Sequence, residues 1–260
     1  MNHRNCFEAL DRSLRDILCT GETTPPDKLF GAKYCEMEYI SLKNLTLTQQ
    51  HVKIKIRVSR IWESTTPQLK KDILSLDCLL IDEEGYAMQA TIRKHDATTF
   101  RALLSEGNAY IIENFNVIPS RNTYKVVDRR YIIQISKWTR IVEAKEDVAQ
   151  IPFYNFYFLS FDYIKNKKYV DGCLLDVIGN IVATGTISYT YVGQERTAIR
   201  KLQIGNLEDE TLSVTLWDKF AIDFNDNQHQ EKVDGPAIVV FASMSVRTYR
   251  DQLYISTCSA

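Results

Sequence analysis

A set of strand-like segments occurs twice in the chain at one spacing, and this repeat limits the possible folds more than any other feature. ATIRK at 90–94 resembles VTLWDK at 214–219, which matches Arg93 to Trp217 at 217 − 93 = 124. NTYK at 122–125 resembles RTYR at 247–250, which matches Tyr124 to Tyr249 at 249 − 124 = 125. In each copy the first segment follows an acidic turn, DEEG at 82–85 and EDET at 208–211. A period this long describes a duplicated domain rather than a solenoid. The 260 residues accommodate two domains of about 100 to 130 residues each.

Within the first copy, Val52, Ile54, Ile56 and Val58 alternate with Lys53, Lys55, Arg57 and Ser59. Strict alternation predicts a strand with one buried face and one wet, basic face. Further strand-like runs follow at 76–82, 86–93, 109–118, 123–127 and 131–142. Between them HDATTFRALLSEG (95–107) places Phe100, Leu103 and Leu104 on one helical stripe. Several strands and one short helix predict a small barrel. The second copy reads as strands at 171–182, 197–204, 212–217, 236–246 and 252–257, with FAIDFN (220–225) where the helix falls. FEALDRSLRDIL (7–18) predicts an amphipathic helix, ended by Gly21, Pro25 and Pro26. VEAKEDVAQIP (142–152), polar and ending in proline, reads as linker. The expected division is a helical extension at 1–34, a barrel at 35–142, a linker at 143–157 and a second barrel at 158–260.

Composition excludes several function classes. Lys and Arg number 32 against 33 Asp and Glu, so any nucleic-acid surface must be a local patch rather than a global field. No run approaches the roughly 18 apolar residues of a membrane span, and MNHRNCFEAL lacks the apolar core of a signal peptide. The six cysteines (6, 19, 35, 78, 173, 258) form no Cys-x-x-Cys pair, and the four histidines do not cluster with them. A structural zinc site is therefore not expected, and the thiols read as packing or surface residues of a reducing compartment. There is no Gly-Lys dipeptide, hence no phosphate-cradling loop. No nucleophile–base set or paired carboxylate motif stands out, so neither an enzyme, a cofactor nor a small-molecule substrate is expected.

The candidate binding residues follow from strand phase. Leu212, Val214 and Leu216 share the inward phase, which turns Ser213, Thr215 and Trp217 outward; in the first copy Gln89, Thr91 and Arg93 take the outward places. An indole and a guanidinium can both lie flat on a nucleobase. Trp217 has a second reading as packing beneath a loop. Tyr124 and Tyr249 lie near predicted hairpins among Arg121, Lys125, Arg129, Arg130, Arg247 and Arg250, an arrangement suited to a base plus its phosphate, or to a tyrosine covering a barrel rim. Lys55 and Arg57 supply a basic strand face or a plain soluble edge. Trp62, at the end of that strand, is a stacking helper or a lid on the core.

YISLKNL (39–45), ATIRKHDATTFRALLSEGNAYIIENFNV (90–117), LLDVIGNIV (174–182), VTLWDKFA (214–221) and VFASMSVRTYRDQLYIST (240–257) resemble the replication protein A large-subunit family, particularly its plant paralogues. The resemblance implies an all-β fold of two tandem OB-fold barrels after the N-terminal extension. It implies single-stranded DNA binding in replication, repair or recombination, a nuclear location, and other replication protein A subunits or repair proteins as partners. The family's stacking aromatics fall on Trp217, Tyr249 and Tyr124, while the remaining position falls on Ile92 or Arg93 and is not aromatic. The family's basic groove residues fall near Lys55, Arg57, Arg200 and Arg247. The family's third OB fold, with its four-cysteine zinc ribbon and trimerisation helix, has no counterpart in this sequence, so the assembling role of that polypeptide is not expected. Residues 4–33 resemble a fragment of Pif-type helicases of Helitron-like transposons, which implies a remnant without ATPase activity. A protein-interaction module built on OB folds stands as the alternative function.

Overall fold

A computed structural model describes residues 39–258 apart from 48, 50–51, 67–68, 122, 167–171 and 225–236. The helix expected over 7–18, with the whole of 1–34, lies outside the described residues. Residues 40–260 cluster as a single unit.

The fold is mostly β. In the first half β1 (Lys53–Thr66), β2 (Leu69–Ile81) and β3 (Ala87–Arg93) form a meander, followed by helix α1 (Lys94–Leu103), β4 (Ala109–Glu113), β5 (Asn116–Pro119), β6 (Tyr131–Ile135) and β7 (Arg140–Glu143). The sheet order is β5-β6-β3-β2-β1-β4-β7, with β3 and β6 parallel. Only Asn114 and Phe115 separate β4 from β5, and Asn114 turns the chain at a φ of 58°. The strand that leaves β1 therefore arrives beside β6, and the sheet curls back on itself. A polar short side chain tolerates that left-handed backbone better than most residues.

The alternation seen in sequence explains what fills the curl. Ile54, Ile56 and Val58 meet Leu76, Cys78 and Leu80, then Met88, Ala90 and Ile92, and Phe100 and Leu104 close the end of this core beside α1. Each such aliphatic side chain contributes roughly 1.5 to 3 kcal/mol by leaving water.

The second half repeats the plan. β8 (Leu175–Thr184), β9 (Ser188–Val192), β10 (Glu195–Gly205) and β11 (Thr211–Trp217) precede helix α3 (Lys219–Asp223), β12 (Ile238–Tyr249) and β13 (Gln252–Ser256); a short helix, α2 (Phe161–Lys165), stands before β8. The order is β11-β13-β12-β8-β10-β9, and an added β10–β11 pairing closes the ring. Again one pair, β11 with β13, is parallel. Phe161 and Ile164 from α2 join Val177, Leu202, Ile204, Leu212, Val214 and Leu216 in this core. The glycine of LLDVIGN is required by this closure, because a Cβ on Gly179 would come within 2.7 Å of the Gly205 carbonyl oxygen.

Four elements differ from the sequence reading. Residues 123–127 form no strand but a loop whose Lys125 bridges to Cys173. The run at 131–142 is broken by a turn over Ser136–Thr139, where the Thr139 amide donates to the Ser136 carbonyl. β9 and α2 carry no clean sequence period, and were not anticipated. The polar segment after β7 folds onto the first sheet: Ala144 and Ile151 cluster with Ala109, and Val148 packs against them.

The two halves share a small apolar cluster of their own. Leu79, Ile81 and Ala87 of the first sheet meet Val126 and Leu174, with Trp62 and Cys258 packed against them. Polar contacts add to it. Arg60 on β1 donates to Ser243 Oγ at 2.7 Å and stands 3.7 Å from Asp176 Oδ1 on β8. Asp176 also accepts the Ser243 and Tyr157 amides, at 2.9 and 3.1 Å. Burial pushes the Arg60 guanidinium below its ordinary value, and the neighbouring Asp176 and Glu106 oppose that shift.

Candidate nucleic-acid interface

In the second half, β10 and β11 turn alternate residues away from the core. Register pairs Gln203 with Ser213, Lys201 with Thr215, and Ile199 with Trp217. Across the parallel pair Thr215 meets Ser256, which in turn faces Ser245 on β12; Arg247 pairs with Tyr254 and Tyr249 with Gln252. One face therefore carries Lys201, Trp217, Tyr254, Arg247 and Tyr249 over a floor of small hydroxyls. Trp217 is half-buried; its indole N–H donates to Ser256 Oγ at 2.9 Å and its amide to Thr257 Oγ1 at 2.9 Å. The hydrogen bond fixes the ring against the hydroxyl floor without sending it into the core. Tyr249, 63% exposed, ends β12 with the Arg250 guanidinium 5.2 Å from its ring centroid. Positive φ at both Arg250 and Asp251 gives the two-residue turn that matches strand twist.

The matching face of the first half has a different chemistry. Asp77 pairs with Thr91, Thr91 with Gln134 and Gln134 with Asn116, while Ser75 pairs with Arg93. Asp77 therefore occupies the place that Lys201 holds in the second half. Its side chain is fully buried, accepts hydrogen bonds from Ser64 and Ser75, and forms a two-point ion pair with Arg121 at 3.2 Å for each contact. Arg121 also donates to Thr91 Oγ1 at 2.8 Å. A trough of about 450 Å³ opens over these residues.

Register also corrects the repeat. Thr91 and Thr215 match at 215 − 91 = 124, their partners Gln134 and Ser256 at 256 − 134 = 122, and Asn116 and Ser245 at 245 − 116 = 129. Tyr249 thus corresponds to Ser120, not to Tyr124. The loop over 120–130 replaces a two-residue turn, so the NTYK and RTYR likeness equates residues that register separates. Tyr124, 43% exposed with a φ of 57°, sits on that loop beside the junction of the two halves.

The other predicted residues divide by burial. Arg93 is exposed at the end of β3 and lines the trough, and Arg247 is exposed on β12. Lys55 is half-buried on β1 opposite Ile111, on the side of the barrel away from the trough. Arg57 is buried, and its guanidinium donates to the carbonyls of Ile151, Gly107 and Val148 while lying 3.9 Å from the Phe153 ring centroid. It holds the polar segment to the barrel, so the basic strand face is not wet at this position. Arg200 is buried too, donating to the Gly185 and Phe224 carbonyls. Trp62 packs against the cluster between the halves, its lid reading.

Asp77, Lys201 and Tyr254 escaped the sequence reading, and Arg121, read there as a partner for phosphate, is instead paired with Asp77. A lone carboxylate in a strand carries no motif, and that Lys201 stands opposite the outward Thr215 is visible only in the register. Exposed Tyr189 and Tyr191 on β9 were also missed; Arg196 lies 4.0 Å from the Tyr189 ring centroid. Among the described residues no cluster of His, Cys, Asp or Glu is placed to hold a metal, and no helix is long and apolar enough to cross a membrane.

Residues 43–167 match the family described as Domain of unknown function DUF223. The chain is 25% identical over 171 residues to a replication protein A 70 kDa DNA-binding subunit of Arabidopsis thaliana, covering 64% of this chain and 21% of that one. It is 28% identical over 172 residues to a replication protein A 70 kDa DNA-binding subunit of Oryza sativa subsp. japonica, covering 65% and 18%. With Replication factor A protein 1 of Saccharomyces cerevisiae it shares 25% over 188 residues, covering 71% and 30%. The matched part thus spans less than a third of the length of these relatives. A solved replication protein A heterotrimer bound to ssDNA shares the fold, with a TM-score of 0.56 and 20% identity, over 85% of this chain and 50% of that one. Over about two thirds of its length the chain is thus similar to replication protein A large subunits, and its residues 43–167 match the DUF223 family.

Proposed function

We propose that this chain binds single-stranded DNA without catalysing a reaction, by stacking bases on the outer face of the second barrel and contacting phosphates with the cations beside it. Both sheets run 1-2-3-5-4 and back to 1 once β4 with β5, and β8 with β9, are counted as single strands. We read them as two OB folds in tandem. The observation that carries the reading is the juxtaposition of Trp217, Tyr254 and Tyr249 with Lys201 and Arg247 on one strand face. Aromatic faces accept any base and cations follow the backbone, which gives binding that tolerates sequence and weakens with salt. The homologues named as DNA-binding subunits support the same reading. Replication, repair or recombination in the nucleus, beside other replication protein A subunits or repair proteins, is the setting it implies.

A second reading, docking of a protein, is favoured by one feature. Tyr154, Phe156 and Phe158 stack along the segment between the barrels at 5.7 and 5.3 Å between ring centroids, with Tyr154 and Tyr157 largely exposed. Titration of the full chain with a fluorescent thymidine oligonucleotide, with duplex DNA and RNA as competitors, decides between the two. Saturable binding that duplex fails to compete supports the first, and absence of binding leaves only the second.

A further inference from the structure

The two grooves differ in what they offer a base. The second presents aromatic faces; the first presents none and replaces them with hydrogen-bonding groups. In the first trough Thr91, Gln134 and Ser75 form a polar floor, and two guanidinium groups, Arg93 and Arg121, stand over it. Arg121 is held in one plane by its two-point pair with Asp77. That pair cancels one positive charge and leaves Arg93 as the net cation, which is weak attraction for a phosphate. The walls are Leu74, Ile118, Pro119 and Ile132, apolar surfaces that fit the faces of a ring. A volume of about 450 Å³ admits a nucleobase with its sugar.

We infer that the first groove is a base-reading subsite that prefers guanine, with Arg93 as the residue that determines the preference. Guanine presents two acceptors on one edge, N7 and O6, at the spacing of a guanidinium fork. Arg93 ends β3 opposite Ser75, at the mouth of the trough, where such an edge arrives once the ring lies between the apolar walls. The inference rests on the single-stranded DNA reading above, and divides the labour within it: one barrel holds any base, the other selects.

The test uses the full chain and three oligonucleotides of equal length: thymidine alone, thymidine with guanines spaced singly, and the same strand with 7-deazaguanine, which lacks the N7 acceptor. Lithium buffer and single spacing keep guanines from associating. Anisotropy titrations are expected to give about tenfold tighter binding to the guanine strand than to thymidine, most of it lost with 7-deazaguanine. Arg93→Lys, which keeps the charge without the fork, is expected to abolish the preference while thymidine affinity stays within about twofold. Equal affinity of the three strands, with thymidine binding intact, overturns the inference and spares the function proposed above. A uniform loss on all strands in Arg93→Lys, with the guanine preference kept, gives the residue a role common to every base and also overturns it. No binding to any strand overturns both.

Discussion

The guanidinium of Arg60 in the first barrel and the carboxylate of Asp176 in the second lie 3.7 Å apart, and both contact Ser243. Neither group is isolated: Asp176 holds the Tyr157 amide as well, so one carboxylate fastens the first barrel, the intervening segment and a bend in β12 where Ser243 has a φ of 57°. With the apolar cluster around Trp62 and Leu174, this contact joins the two halves.

Removing Asp176 leaves a half-buried cation and two amides without their acceptor. Asp176→Ala is expected to lower stability by about 3 kcal/mol in urea unfolding, with Arg60→Met costing less because it removes a charge that is already partly desolvated. Equal and small losses in both variants would show that the pair does not bridge a buried joint.

Arg57 and Arg247 are expected to behave as opposites despite their common chemistry. Arg57→Ala strands three carbonyls that its guanidinium now satisfies, and is expected to cost about 3 kcal/mol of stability with no change in the salt slope of DNA binding. Arg247→Ala leaves the melting transition unmoved and reduces that slope by about 1. Denaturation and salt-series titrations on both variants check the contrast.

Tyr124→Ala is expected to weaken DNA binding less than Tyr249→Ala. Register places Tyr249 on the rim of the second face, whereas Tyr124 belongs to the loop that bridges to Cys173. Parallel anisotropy titrations give the ranking, and the reverse order would move the strand path onto the junction.

Burial, with the Asp77 carboxylate second, drives the Cys78 thiol well above its usual pKa. In the native protein Cys78 is expected to escape alkylation at neutral pH, and to label fully in urea. Peptide mapping by mass spectrometry reads both, and rapid native labelling would contradict the placement of Cys78 in the core.

What the sequence made legible is the inward phase. Ile54, Ile56 and Val58, and later Leu212, Val214 and Leu216, sit in the cores because period-two alternation leaves them no other face. The outward phase was legible only as direction. It does not say what lies outside, and at Arg57 what lies outside is the chain's own polar segment. The loop over 120–130 defeated the repeat, because an insertion in one copy and a short turn in the other keep the tyrosine offset near 125 while the register shifts. The Asp77–Arg121 pair joins a strand to a distant loop, and no local pattern encodes such a pairing.

The most direct test concerns Trp217 itself. In a full chain carrying Trp62→Phe and Trp138→Phe, the remaining indole reports on the second face alone. Addition of a thymidine oligonucleotide is expected to quench its emission with the same midpoint as the anisotropy change, and Trp217→Ala in the natural chain is expected to weaken binding about tenfold. Binding that leaves the Trp217 emission and the variant's affinity unchanged would mean that bases do not stack on this face.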